Sequence, residues 1–302
     1  MPNQEYVQMS IGLMSVGLMG LPMCQRFLDQ GIALVVYNRT AAKLAPLQQT
    51  DAVIATTPQD VLQQCECVIL MLTDAAAIAE VLLAEPTRSH LAGRTVIQMG
   101  TIAPQESSEL QSQIVAAGGE YLEAPVLGSI PEAQTGQLLV MVGATSEHYQ
   151  QWLPLLQVLG PEPVLLGSVG AASAAKLALN QLIGALTTGF AVSLGLVQQY
   201  GVEVEAFMQI LRQSALYAPT FDKKLSRMLS GNYANPNFPT KHLLKDINLF
   251  MAAANASGVS TDSVEGIQRV LTQAVQMALG DADYSALFSA VVSQGQDHAN
   301  PS

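Results

Sequence analysis

The feature that most constrains this chain is an alternation that stops. Over the first 167 residues short apolar runs recur between stretches of helical period, and residues 7–14, 33–37, 68–72, 96–99, 121–123, 138–142 and 164–166 read as strands. Each run is closed by Gly, Asn, Thr or Pro. Strands alternating with helices imply a mostly parallel sheet faced by helices. After Gly167 the period changes: residues 172–200, 204–213, 221–229, 243–256 and 264–279 are helical in pattern, and no convincing strand follows. The turn Gly167-Ser168-Val169-Gly170 marks the boundary, and residues 231–239, punctuated by Asn and Pro, read as a long loop. The expectation is an α/β domain over residues 1–168 and an all-helical domain over 169–302, joined by a long interdomain helix.

Composition narrows the function. With 302 residues, 49% of them hydrophobic, the chain has material for two cores. A net charge of −11 with 13 Lys plus Arg argues against a phosphate-tracking nucleic-acid surface. Cys24, Cys65 and Cys67 are too few for a disulfide framework and lack redox or zinc spacing, so buried thiols are expected. His90, His148, His242 and His298 are scattered, which argues against a metal site. Asp281 and Asp283 lack the Gly and Glu of a calcium loop. Glu123 and Glu162 stand near Pro in turns, where a solvated or capping role is expected. Residues 1–9 have no basic segment and no apolar run, so a cytoplasmic location is expected. Residues 177–197 carry no charge and match a bilayer span in length. Asn180, Gln181, Thr187, Thr188 and Ser193 within that run, with Lys176 at its start, favour a buried helix over a membrane partner. The polar tail from Gln294 is expected to fray.

The first strand runs into Ser15-Val16-Gly17-Leu18-Met19-Gly20, with Pro22 placed to open a helix. This is a dinucleotide fingerprint with Ser15 in place of the first glycine. Gly17 and Gly20 keep the positions of backbone approach and of helix–strand packing, and the helix start offers unpaired N–H groups to a phosphate. The second strand ends in Asn38-Arg39-Thr40, where an NAD enzyme would place a carboxylate on the ribose hydroxyls. Asn38 removes that charge, Arg39 supplies a planar cation for a 2′-phosphate and Thr40 adds a hydroxyl, a pattern that favours NADP. The alternative is an Arg on a solvated loop. Lys176 and Asn180 stand at i and i+4, on one face near the start of the long helix. An ammonium with an amide beside it suits protonation of an oxygen that gains negative charge on hydride delivery. The competing reading is a lysine that snorkels to the surface.

These residues assemble into a pattern that resembles the β-hydroxyacid dehydrogenases, the group holding 3-hydroxyisobutyrate dehydrogenase, tartronate semialdehyde reductase and the glyoxylate/succinic semialdehyde reductases. The resemblance covers nearly the whole chain. It rests on Val16-Gly17-Leu18-Met19-Gly20-Leu21-Pro22-Met23, Gly100-Thr101-Ile102-Ala103-Pro104 and Glu123-Ala124-Pro125-Val126-Leu127-Gly128-Ser129. It continues through Gly167-x-x-Gly170, Lys176-x-x-x-Asn180, Lys245-Asp246 and Gly280-Asp281-Ala282-Asp283-Tyr284-Ser285-Ala286. The resemblance implies a Rossmann domain followed by a helical domain, with the active site in the cleft between them. It implies Lys176 as general acid and Asn180 as a partner that orients the substrate or the lysine. Gly17, Leu18, Met19, Gly20, Asn38, Arg39, Thr40, Leu72, Thr73, Thr101 and Lys245 are implied at the cofactor. Val126, Leu127, Gly128, Ser129, Phe238 and Asp246 are implied at the substrate, with Gly128 and Ser129 donating to its carboxylate.

The implied reaction is NADPH-dependent reduction of a small aldehyde or 2-oxo acid, such as succinic semialdehyde or glyoxylate, or the reverse oxidation, in a homodimer or homotetramer. Three positions depart from the family pattern: Ser15 for Gly, Gly100 for Ser, and Leu127 for the Ser of Ala-Pro-Val-Ser-Gly. Leu127 makes the pocket more apolar and leaves the substrate open. Two rivals stand beside this reading. One is an imine reductase on the same fold, which Lys176 speaks against, and the other is a cofactor-binding interaction module without catalysis.

Overall fold

The computed structural model describes residues 10–297, in two units, Met1–Lys176 and Leu177–Ser302. The first three residues of the first expected strand, the N-terminal stretch and His298 lie outside the described residues.

Among the described residues the first unit is built on nine strands: β1 Ile11–Met14, β2 Leu34–Tyr37, β3 Val53–Ile54, β4 Cys67–Leu70, β5 Thr95–Gln98, β6 Glu120–Glu123, β7 Val126–Leu127, β8 Leu139–Gly143 and β9 Val164–Gly167. Their order is β3-β2-β1-β4-β5-β6-β8-β7, with β9 beside β8. From β3 to β6 every pairing is parallel, whereas β8 meets β6 and β7 antiparallel. The order 3-2-1-4-5-6 is that of the doubly wound dinucleotide-binding sheet, which reverses direction between β1 and β4. β1, β4 and β5 are buried at every position, as parallel strands covered on both faces must be. Alternate side chains feed two cores. Ile11, Leu13, Cys67 and Ile69 pack on one face, and Met14, Val68 and Leu70 on the other.

Six helices cover these faces: α1 Gly20–Asp29, α2 Pro58–Gln64, α3 Ala75–Ile78, α4 Pro104–Ala116, α5 Ile130–Thr135 and α6 Ser146–Leu159. Their starts carry local chemistry: Thr57 and Asp60 form a reciprocal cap on α2, and Asp74 and Thr145 cap α3 and α6. All three cysteines are buried and free. Burial pushes the Cys24 and Cys65 thiols up to about 12, which keeps them protonated and inert.

The helix α7 Ala171–Gln199 begins in the first unit and continues into the second. By length and composition it is long enough to cross a membrane, and its Phe190, Ala191 and Leu194 are buried in the helical core. The second unit adds α8 Val204–Gln213, α9 Pro219–Ser230, α10 Thr240–Ala256, α11 Asp262–Ala274 and α12 Leu287–Asp297. Phe190 stacks on Phe221 at 4.7 Å in its centre, with Leu243, Ile247, Leu271 and Leu287 around them. The helix expected over residues 264–279 ends at Ala274 and gives way to a wider turn, Val275–Leu279, in which Ala278 has φ +61°. The tail expected to fray from Gln294 is helical through Asp297.

A buried ion pair fixes the loop over residues 231–239. Lys224 Nζ lies 2.8 Å from both oxygens of Asp283, and 4.1 Å above the Tyr284 ring. From that turn Tyr284 N–H donates to Phe238 O, and Thr240 N–H donates to Ala282 O.

Candidate functional site

The turn from β1 to α1 is shaped for something other than protein. Ser15 is held at φ +84°, a left-handed conformation that costs an L-residue about 1 kcal/mol or more. A Cβ on Gly20 would overlap the Ser15 carbonyl oxygen, so close helix–strand packing requires that glycine. Gly17 is different. A Cβ there meets nothing within 4 Å, so no neighbouring protein atom accounts for that glycine. Leu18 is exposed and Met19 half-buried. Among the described residues no side chain caps α1, and its first turn holds no acid, which leaves its N–H groups for an external anion.

Asn38 has a role that its position alone did not suggest. Its Oδ1 accepts from Val16 N–H at 2.9 Å and its Nδ2 donates to Thr40 O at 2.8 Å, which ties the end of β2 to the phosphate loop. Arg39 and Thr40 are exposed beyond it. Arg39 Nη1 lies 3.3 Å from Glu80 Oε2, and both side chains are well exposed. The glycine loop, the uncapped helix start and a mobile-length cation beside them fit a dinucleotide with its phosphates on α1.

Further along the same sheet, Leu72 and Thr101 are half-buried and Thr73 is exposed, just past the ends of β4 and β5. A Cβ on Gly100 would collide with the Leu72 carbonyl oxygen, so the turn as built here requires glycine. Gln98 staples this turn: Gly100 N–H donates to its Oε1 at 2.5 Å, and its Nε2 donates to Gly100 O at 2.9 Å. Sequence reasoning missed Gln98, a buried amide at the end of an apolar strand. Val126 is buried, Leu127 is half-buried on β7 and Gly128 is exposed at φ +140°.

Ser129 meets a competing partner. Both its N–H and its hydroxyl donate to Glu132 Oε2, at 2.8 and 2.6 Å, as a cap on α5. The donors read as facing a substrate carboxylate are thus engaged by the chain's own carboxylate.

On α7, Lys176 and Asn180 are both buried and lie one turn apart. Asn180 Nδ2 donates to Asp246 Oδ2 at 2.6 Å, and Lys245 Nζ stands 2.9 Å from Asp246 Oδ1. The structure therefore brings Asn180, Lys245 and Asp246 together, with α10 locking the amide of Asn180. The amide oxygen is left over. Asn180 Oδ1 is buried and has no hydrogen-bond partner among the described residues, a costly state unless something else donates to it. Phe238 is half-buried, edge-on to Tyr284 at 5.8 Å. One turn before Asp246, burial and the nearby Lys245 hold His242 below its ordinary value. Among the described residues, no three His, Cys, Asp or Glu side chains are grouped to hold a metal ion.

Residues 10–169 match the NAD-binding domain of 6-phosphogluconate dehydrogenase, and residues 170–291 match the NAD-binding family model of NADP-dependent 3-hydroxyisobutyrate dehydrogenase. Glyoxylate/succinic semialdehyde reductase 1 of Arabidopsis thaliana is 30% identical over 94% of this chain and 98% of its own. Among solved structures, a 3-hydroxyisobutyrate dehydrogenase from Salmonella typhimurium superposes with TM-score 0.84 at 20% identity, covering 93% of this chain and 99% of that one. An imine reductase from Myxococcus stipitatus in complex with NADP+ shares the fold at TM-score 0.65 and 19% identity, over 93% and 99% of the two chains.

Proposed function

From the premise that the chain belongs to the β-hydroxyacid dehydrogenase family, as an NAD(P)-dependent oxidoreductase of the hydroxyacid dehydrogenase type, we propose that it reduces a small aldehyde or 2-oxo acid with NADPH, Lys176 donating the proton. The observation that carries this reading is the unpartnered Asn180 Oδ1, buried one turn beyond Lys176 on α7. An amide oxygen so placed accepts from an ammonium or from the hydroxyl of an alcohol product, the two donors this reaction presents.

NADPH, when bound, supplies the hydride. Everything else falls to the chain's own groups. The N–H groups at the start of α1 would hold the pyrophosphate, with Gly17 leaving room for its approach. Arg39, now 3.3 Å from Glu80, would hold the 2′-phosphate. Asn38 offers no carboxylate to the ribose, because its oxygen is spent on Val16 N–H. Lys176 delivers a proton to the carbonyl oxygen as negative charge develops there, and Asn180, fixed through Asp246, orients that exchange. The half-buried Leu127 makes the substrate side apolar, which supports a short-chain semialdehyde as much as glyoxylate. Exposed Leu182, Leu186, Val192 and Leu196 on α7 support assembly of two or four copies, and a cytoplasmic location completes the proposal.

A substrate panel tests it. Glyoxylate, succinic semialdehyde, methylmalonate semialdehyde, tartronate semialdehyde and a cyclic imine are each offered with NADPH and with NADH. Turnover of at least one carbonyl acid, faster with NADPH, is the expected result. Turnover of the imine alone transfers the reading to C=N reduction, and no turnover of any carbonyl acid sinks it.

A further inference from the structure

Glu123, the last residue of β6, is a fully buried carboxylate whose acceptor capacity is spent on one feature of the fold. Its Oε1 accepts from the backbone N–H of Gly170, Ala172 and Ser173, at 2.8, 2.8 and 3.1 Å. Its Oε2 accepts from the hydroxyls of Ser173 and Ser107, each at 2.5 Å. Ser107 Oγ in turn lies 2.8 Å from the Tyr121 hydroxyl. Burial pushes Tyr121 up, so it stays protonated and donates along this line toward the carboxylate. Space is reserved for the carboxylate as well. Gly143 pairs with Glu123 across the sheet, and a Cβ on Gly143 would overlap Glu123 Oε1. Gly170, the first of the three amide donors, stands at φ +99°, a conformation that suits glycine.

The three amides open the first turn of α7, which helices ordinarily cap with a neighbouring Ser, Thr, Asp or Asn. Here the cap comes from 47 residues upstream and is a carboxyl group. Ser173 and Lys176 are three residues apart on that helix, hence one turn apart on one side. Pinning the amides at 170, 172 and 173 therefore fixes the height and rotation from which the Lys176 side chain leaves the helix. With five donors on its two oxygens, Glu123 has no role left as an acid or base. We infer that Glu123 is the positioning residue for Lys176: it anchors the start of α7 so that the ammonium meets its target without a search. This rests on the reading of Lys176 as proton donor. A displacement of about 1 Å at a reacting group costs on the order of a hundredfold in rate, so a frayed first turn shows in kcat before it shows in binding.

The test compares Glu123→Gln, which keeps the shape but replaces the acceptor facing the Ser107 and Ser173 hydroxyls with an NH2 donor, with Gly143→Ala, which crowds the carboxylate without altering it. Ser173→Ala serves as the mild third variant. In the full-length protein, amide hydrogen exchange is read over residues 168–177, alongside kcat and the NADPH dissociation constant measured by fluorescence. Glu123→Gln is expected to raise exchange in that segment at least about tenfold and to lower kcat about 10- to 100-fold, while NADPH binding stays within about twofold. Gly143→Ala and Ser173→Ala move the same way by smaller factors, and they carry the test if Glu123→Gln does not fold. A purely structural carboxylate lowers the melting temperature and leaves kcat of the folded protein alone; that result overturns the inference, as does unchanged exchange. Lys176→Ala is run beside them. If it keeps its rate, the proton-donor reading fails, and the anchoring role fails with it as a catalytic one. If it loses its rate while the folded Glu123 variants keep theirs, only the present inference falls. Should no carbonyl be turned over, the exchange measurement decides whether the anchor exists.

Discussion

Two helices of this chain start at strand ends and treat their positive N-termini in opposite ways. α1 has no side-chain cap, no acid in its first turn and open space beside Gly17. α7 is closed by the chain's own anion, Glu123, buried and accepting from five donors. A helix start attracts an anion in either case, through its unpaired N–H groups and the dipole behind them. What differs is who supplies it. An open start pays for itself only when a ligand phosphate arrives, while a closed start is rigid before any ligand is present. The first arrangement suits binding and the second suits holding a proton donor still.

The largest effect that separates the two is expected from Lys176→Ala. Loss of a positioned general acid should lower kcat about 10²- to 10⁴-fold, or about 3 to 5 kcal/mol in the barrier. The NADPH dissociation constant, read by fluorescence titration, should hardly move, because the open start of α1 is untouched. If rate and cofactor affinity fall together, the two helix starts do not divide the work and the comparison breaks.

Arg39→Ala probes the other side. A guanidinium–phosphate contact is worth about 1.5 to 3 kcal/mol, so affinity for 2′,5′-ADP should drop roughly 10- to 100-fold while NADH affinity is unchanged. Glu80→Gln sharpens the point. Its carboxylate sits 3.3 Å from Arg39 and competes for the same cation, so its neutralisation should tighten 2′,5′-ADP by a few-fold at most, given that both groups are exposed. Equal losses for NADPH and NADH in Arg39→Ala would make Arg39 a bystander and leave NADP selectivity without a residue.

Much of the fold was legible in the sequence because parallel strands buried on both faces leave apolar runs that periodicity detects. The two-residue strands β3 and β7 left no such trace, and α12 hid behind the polar tail that follows it. Within the site, legibility followed locality. Gly20 was readable because its reason, the carbonyl of Ser15, is five residues away. The cap that Ser129 forms with Glu132 is a local signal too, since Ser129-x-x-Glu132 is a capping-box spacing, and it went unread. Gln98 was not read at all, and Asn38 and Glu123 were readable only in part. Asn38 was seen as the absence of a carboxylate, but its bond to Val16 crosses 22 residues, and Glu123 reaches across 47 to 50. No spacing rule encodes a hydrogen bond that depends on which strand lies beside which.

The smallest expected effect is the most discriminating for the open helix start. Ser15 sits at φ +84°, which costs an L-residue about 1 to 2 kcal/mol, and glycine there would remove that strain. Glycine also gives the unfolded chain more freedom, worth about 0.4 to 1 kcal/mol against folding. The net expectation for Ser15→Gly is a gain of about 0.5 to 1 kcal/mol, read as a rise in the thermal midpoint without cofactor. NADPH affinity should stay within about twofold, since the N–H groups of Leu18, Met19 and Gly20 are unaltered. A loss of stability instead would mean that the Ser15 hydroxyl earns back its strain by serving the start of α1. That turn would then be self-capped like α7, and the distinction between a helix start kept for a ligand and one kept for the protein would no longer hold.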